Sequence, residues 1–152
     1  MEQRRNRTLF RVLLMTGTLV FAVLAAALVL WRMQTGGRRT YALHLPSSVD
    51  IAELVVKQGE SEAHISGWDE IGAVTGLLLA DGRTTTNESI QDMPVNVENC
   101  IQIDYHFAGG GASTLFAYEK RNGYWLEQPY NGIYTLSQEE FASLLALVGE
   151  AA

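Results

Sequence analysis

One cysteine, three prolines and few cationic side chains beyond residue 40 limit what this 152-residue chain can be. Cys100 stands alone, so no intramolecular disulfide can staple the fold, and stability must come from a buried core. No cysteine lies in or near the one long apolar run, which excludes a lipid-anchored lipoprotein. Residues 40–152 carry only Lys57, Arg83, Lys120 and Arg121 against sixteen carboxylates. Phosphate binding needs clustered Lys and Arg, so this half is a poor partner for nucleic acid. Its sign would also repel an anionic lipid surface and hold the domain off it. There is no internal repeat and no low-complexity tract. The roughly 110 residues available are enough for one domain and too few for two.

The first 39 residues have the opposite character, with seven arginines against Glu2. Between Arg11 and Arg32, residues 12–31 run from Val12 to Trp31 without an ionisable group. At about 1.5 Å per residue, twenty residues reach roughly 30 Å, the thickness of a hydrocarbon core. Such a segment must be helical, because lipid tolerates only an internally bonded backbone. Four arginines precede it and three follow, a modest bias toward a cytoplasmic N-terminus. A cleaved signal peptide competes, since Ala25, Ala26 and Ala27 are small enough for a peptidase. The apolar run continues past them through Leu30, longer than a signal core of about 7 to 15 residues, and favours an uncleaved signal-anchor. The expected organisation is a cytoplasmic tail over residues 1–11, a single-pass transmembrane helix over 12–31, a linker over 32–40 and an extracytoplasmic domain over 41–150. The short tail is too small to fold as an output domain, so any inward signal would pass through a partner in the membrane.

Within the domain, alternation predicts strands near residues 41–45, 50–57 and 63–65, the first ended by Pro46. Ser66 with Asp69 suggests a helix start, and Trp68, Ile71, Val74, Leu77 and Leu78 form one apolar stripe, closing near Asp81 and Gly82. Residues 100–107 alternate, with Ile101, Ile103, Tyr105 and Phe107 on one face and Cys100, Gln102, Asp104 and His106 on the other. Gly109 to Gly111 form a hairpin tip, and Asn122-Gly123 is a strong hairpin signal leading into residues 124–128. Ser137 and Glu140 make a capping box for a last helix with Phe141, Leu144, Leu145 and Val148 inward. The predicted fold class is α+β in two layers: an antiparallel sheet of about four to six strands, two helices on one face, and the other face polar and at least partly wet.

Chemical motifs are sparse. Cys100 and His106 share a strand face but lie six residues, about 20 Å, apart, which rules out a nucleophile pair on an unbroken strand. His44, His64 and His106 have no zinc spacing, and the acidic residues form no calcium loop. His44 and His106 could meet only if their strands were neighbours. No cofactor and no metal site is expected. A sugar or peptide platform of strand aromatics competes with their ordinary use in strands.

Tyr124 to Tyr134 reads Tyr-Trp-Leu-Glu-Gln-Pro-Tyr-Asn-Gly-Ile-Tyr. With a Tyr-x-Leu opening before Pro46 and Ser-Ile-x-Asp-x-Pro from Ser89 to Pro94, this resembles a family of extracytoplasmic bacterial domains of unknown function, mostly from Gram-positive species. The resemblance covers residues 41–147 and implies a surface-located, tethered or secreted module, with no activity to carry over. Pro129 must break a strand or sit at its edge, Gln128 to Asn131 suits a turn with Pro second, and Gly132 can supply the positive φ that a bulge there would need. The kink leaves Glu127 and Tyr130, with Trp125 and Tyr134, as the expected partner-binding residues. Otherwise Tyr130 bonds back to the backbone and Glu127 pairs with Lys120 or Arg121. The functional expectation is a membrane-anchored binding or regulatory module, not an enzyme, contacting an envelope or membrane-protein partner. A cell-envelope hydrolase using exposed carboxylates is the alternative.

Overall fold

The computed structural model describes residues 23–30, 39–80 and 82–149. The chain divides into two units, Met1–Arg38 and Arg39–Ala152. In the first, residues 23–30 lie in a helix, α1, whose large apolar side chains Val23, Leu24, Leu28, Val29 and Leu30 are all 57% to 62% exposed. Among the described residues no helix is long and apolar enough to cross a membrane. The span predicted over residues 12–31 and the tail before it lie mostly or wholly outside the described residues, as does most of the linker.

The second unit is an α+β fold. Its main sheet holds six antiparallel strands in the order β3-β2-β5-β6-β7-β8. These are β2 (Ile51–Gln58), β3 (Ser61–Ile65), β5 (Glu98–Phe107), β6 (Ala112–Lys120), β7 (Gly123–Gln128) and β8 (Gly132–Leu136). Two short strands, β1 (Tyr41–Ala42) and β4 (Thr84–Thr85), pair separately. The first strand is thus shorter than its alternation suggested, and β4 had no apolar pattern to announce it. Helix α2 (Trp68–Leu79) follows β3, and α3 (Gln138–Gly149) ends the described chain.

The register puts Leu54 opposite Tyr105, Ile103 opposite Leu115, Ala117 opposite Leu126, and Leu126 opposite Tyr134, so these side chains share one face. Ile71, Val74 and Leu78 of α2 and Phe141, Leu144 and Val148 of α3 belong to the same buried cluster. The Tyr124 and Phe141 rings stack at 4.8 Å between centroids. Both helices therefore cover this face, as their apolar stripes required.

Local chemistry explains the ends. In α3 the Glu140 N–H donates to Ser137 Oγ at 3.1 Å, and the Ser137 N–H donates to Glu140 Oε2 at 2.7 Å, a reciprocal capping box. At α2 the expected serine cap is absent: Gly67 is the N-cap and makes no side-chain cap bond. Arg83, the residue that secures the other end of α2, was not anticipated. Its guanidinium donates to the carbonyls of Leu77 and Leu78, to the Thr135 carbonyl on β8 and to the Glu140 carboxylate on α3. One half-buried cation thereby closes a helix C-terminus and joins two other elements to it.

The hairpin turns differ in detail from expectation. Lys120 pairs with Gly123, so the loop is Arg121-Asn122, with φ 53 and φ 60. Two positive φ values are what a type I′ loop demands. The Asn-Gly signal located the hairpin one residue too late. At β7–β8, the Asn131 N–H donates to the Gln128 carbonyl at 3.0 Å, and Tyr130 at the third position has φ 57. That is the signature of a type II turn with Pro129 second, in which a tyrosine stands where glycine is usual. Gly132 does not supply the positive φ. A Cβ there would fall 2.7 Å from Thr85 Cγ2 and 2.8 Å from the Tyr134 hydroxyl, so close approach of β4 explains it.

Candidate functional site

The sheet face away from the helices is not simply wet. Val55, Asp104, Phe116, Tyr118 and Glu127 on it are all buried. Asp104 accepts from Thr114 Oγ1 at 2.7 Å and from Gln102 Nε2 at 2.8 Å. Over the β6–β7 end lies an irregular segment, residues 86–97, which starts beside β8. The Ile133 N–H donates to the Asn87 carbonyl at 2.9 Å, the Ser89 N–H donates to the Asn131 carbonyl at 3.2 Å, and Glu88 bridges to Gly132. Pro94 lacks a donor and Asn96 has φ 54, so the segment cannot continue as a strand and instead crosses the sheet as a ledge.

Glu127 is the residue that holds the ledge down. Its side chain is fully buried, and its carboxylate accepts from Ser89 Oγ at 2.6 Å, Gln91 Nε2 at 3.0 Å and Tyr118 OH at 3.0 Å. Hydrogen bonds from three neutral groups compensate for the lost hydration. Burial and the adjacent carboxylate push the Tyr118 phenol well up, so it remains a donor throughout the neutral range. Cys100 on the same face is half-buried, and burial, with Glu127 contributing, raises its thiol above the ordinary value. It stays a thiol, with none of the activation a nucleophile requires.

The four expected partner-binding residues divide sharply. Glu127 points inward and meets neither Lys120 nor Arg121, so both readings of it give way to the ledge contact. Tyr134 is buried in the helix-side core, where burial raises its phenol to about 12 and its oxygen accepts from Asn131 Nδ2 at 2.8 Å. Trp125 is half-buried and donates through Nε1 to the Lys120 carbonyl at 3.2 Å. Only Tyr130 is open, at 67% exposure, and its hydroxyl donates to Asp92 Oδ1 at 2.6 Å rather than to backbone. That bond to a carboxylate raises the phenol's pKa.

Tyr130 and the ledge form one surface. Ile90, Met93 and Val95 on the ledge are exposed, Ile90 at 79%. The Lys120 ammonium donates to the Val95 carbonyl at 3.1 Å and ties down the far end. Beside it opens a concavity of about 410 Å³ whose wall includes His44, Asp92, Thr114, Gln128 and Asn131. The Ser89–Pro94 stretch and the Glu127–Tyr134 stretch, 38 residues apart at Ser89 and Glu127, thus meet through the Ser89–Glu127 and Tyr130–Asp92 bonds. Sequence reasoning singled out both stretches but missed their contact and the residues Gln91, Met93 and Tyr118 that complete it.

Cys100 and His106 sit at opposite ends of β5, and His44 follows β1, whose partner is β4 rather than β5. Among the described residues no three His, Cys, Asp or Glu side chains are grouped to hold a metal ion. No curated protein and no solved structure matches this chain. A family does, over residues 39–135, a stretch that includes the ledge, the Pro129 turn and most of the sheet but not α3. The chain belongs to that family, which is described as a domain of unknown function (DUF5300).

Proposed function

We propose that the protein is a membrane-anchored binding or regulatory module, whose extracytoplasmic domain presents the ledge and Tyr130 to an envelope or membrane-protein partner. The observation that carries the reading is the run of exposed apolar side chains Ile90, Met93 and Val95 on a segment fastened to the sheet by a buried carboxylate, with exposed Tyr130 bonded to it through Asp92. Exposed apolar groups gathered on a fixed surface favour a protein contact. The type II turn holds Tyr130 in the left-handed region, a strained conformation of the kind that marks ligand-binding surfaces.

The anchor belongs to the same proposal. The uncharged run of residues 12–31, the arginines flanking it and the outward apolar side chains of α1 support a helix solvated by lipid. The acidic domain would stand beyond it in the extracytoplasmic space of a bacterium, Gram-positive by the resemblance above. A reporter active only outside the cytoplasm, fused after Ala152, should be active, and the protein should resist an alkaline membrane wash. Release of a shorter soluble product would support cleavage instead.

The binding surface is tested by placing a photo-crosslinking residue at Met93, at Tyr130 and, as control, at Ala142 on the exposed side of α3, in native membranes. Met93 and Tyr130 should capture the same partner and Ala142 should not. A capture pattern common to all three positions would remove the ledge as the binding surface.

A further inference from the structure

The sheet has a second feature that the ledge does not use. Among the described residues β3 pairs with β2 alone, so its other side is an open edge. Gly59 takes φ 59 in a two-residue loop between Gln58 and Ser61, which fits a type II′ turn and makes Gln58–Ser61 a hydrogen-bonded pair. Antiparallel pairs alternate, so Ser61, Ala63 and Ile65 bond inward to β2, while the main-chain N–H and C=O of Glu62 and His64 point out. Edges are normally blunted by Lys, Pro or a bulge. Ser61–Ile65 contains none of these and keeps unbroken register with β2.

Beside the edge is a cleft of about 380 Å³ between β3 and the two helices, lined by the apolar Ala63, Ile65, Ala73, Val74 and Leu147 and by the polar Glu70 and His64. The cleft is mainly apolar and lies on the face to which alternate side chains of an added strand would point. On the opposite face, the edge is acidic. The His64 ring lies between Glu53 at 2.8 Å and Glu62 at 2.9 Å, and Lys57 lies 3.7 Å from Glu62. Glu60, at the turn, adds another carboxylate.

We propose that β3 accepts an extended, cationic peptide segment as a seventh antiparallel strand, its apolar side chains in the cleft and its Lys or Arg side chains against Glu62 and Glu53. Main-chain bonds to Glu62 and His64 supply affinity, and the two faces supply selectivity, as in other strand-addition complexes. The occupant is cationic because of charge complementarity: the domain holds sixteen carboxylates against four basic residues beyond residue 40, which disfavours a second copy of itself. Four strand spacings of about 4.8 Å separate β3 from β7, roughly 19 Å, so this site is distinct from the ledge.

The test uses the full-length chain in nonionic detergent with two synthetic peptides, acetyl-(Lys-Val)4-amide and acetyl-(Glu-Val)4-amide. The lysine peptide should bind saturably and slow hydrogen exchange at the Glu62 and His64 amides, with the glutamate peptide at least tenfold weaker. Glu62→Lys, at an exposed position, should weaken the lysine peptide about tenfold while the domain stays folded. His64→Pro removes an outward N–H and leaves the inward ladder, so it should abolish binding while the domain stays folded. No binding by the lysine peptide at millimolar concentration overturns the proposal. So does equal binding by both peptides, unchanged affinity in Glu62→Lys, or protection at the ledge instead of β3. Protection of β3 that rises with protein concentration in the absence of peptide would make a second copy the occupant and overturn it equally. None of these results depends on Met93 or Tyr130, so failure here leaves the ledge reading to its own experiment.

Discussion

The two edges of one sheet are treated in opposite ways. Along β8, the Ile133 N–H is bonded by Asn87, Glu88 bridges to Gly132, and the Thr135 carbonyl is taken by Arg83. Along β3, the outward groups of Glu62 and His64 have no strand beside them among the described residues. The closed edge is assembled from residues scattered from 83 to 140, whereas the open edge belongs to a local hairpin of two strands and a tight turn. Closure is therefore a tertiary achievement, which a few substitutions should undo. Openness is built into the hairpin itself.

The largest effect is expected at Arg83. Arg83→Ala removes the cap of α2, the bond to Thr135 and the partner of the part-buried Glu140 together, and should destabilise the domain by about 3 kcal/mol. A urea melt measures it, and a loss below 1 kcal/mol would mean that Arg83 is not what closes this edge. Next comes Gly132→Val, which forces a side chain against Thr85 and the Tyr134 hydroxyl and should cost about 2 kcal/mol by overpacking. The β1–β4 pair should loosen first, seen as faster exchange at the Leu43 amide, which bonds the Arg83 carbonyl at 2.9 Å. Glu127→Gln is smaller, about 1 to 2 kcal/mol, because an amide nitrogen replaces one acceptor among three donors. Its mark should be faster exchange at the Ser89 amide, with β2 and β3 unchanged.

The smallest effect distinguishes the edges by pH. The hydrogen bond that His64 donates to the Glu53 carboxylate, aided by Glu62, raises the His64 pKa on the open edge. A group whose pKa is raised by folding contributes stability that is full below its unfolded value, near 6.5, and lost as pH rises through the folded value. The β2–β3 hairpin should therefore be tightest in mild acid. On the closed edge burial opposes ionisation of Glu140, but the Ser137 N–H and the Arg83 guanidinium outweigh it and hold the carboxyl below its ordinary range. That contribution is present above the unfolded pKa, near 4.5, and lost as pH falls through the folded one. Exchange rates at the Ala63 and Ile133 amides between pH 2 and 8 would show the two trends, and a His64→Gln variant should lose only the first.

The two-layer fold was legible because it rests on periodicity. The stripe of α3, the alternation of β5 and the Ser137–Glu140 box each appear where residue spacing put them. Turns were legible in place but not in detail, since Arg121 and Tyr130 adopt positive φ where Gly123 and Gly132 looked better suited. Tertiary pairing carries no spacing at all. Residues 86–97 have no apolar period, so nothing local says where they dock, and without their cover Glu127 looked like a solvated strand residue. Arg83 was equally silent, because an isolated cation after a helix has no pattern until its acceptors are assembled around it.

Glu127 lies 38 residues after Ser89, and that order has a consequence for how the protein is made. During synthesis the ledge emerges well before the carboxylate that fastens it, and before the β7 strand on which it rests. Ile90, Met93 and Val95 must wait unfastened until the β6–β7 hairpin is complete, a non-local closure that comes late in folding. A chain interrupted before Glu127 would carry its stickiest segment loose, and such fragments should aggregate or be degraded rather than accumulate.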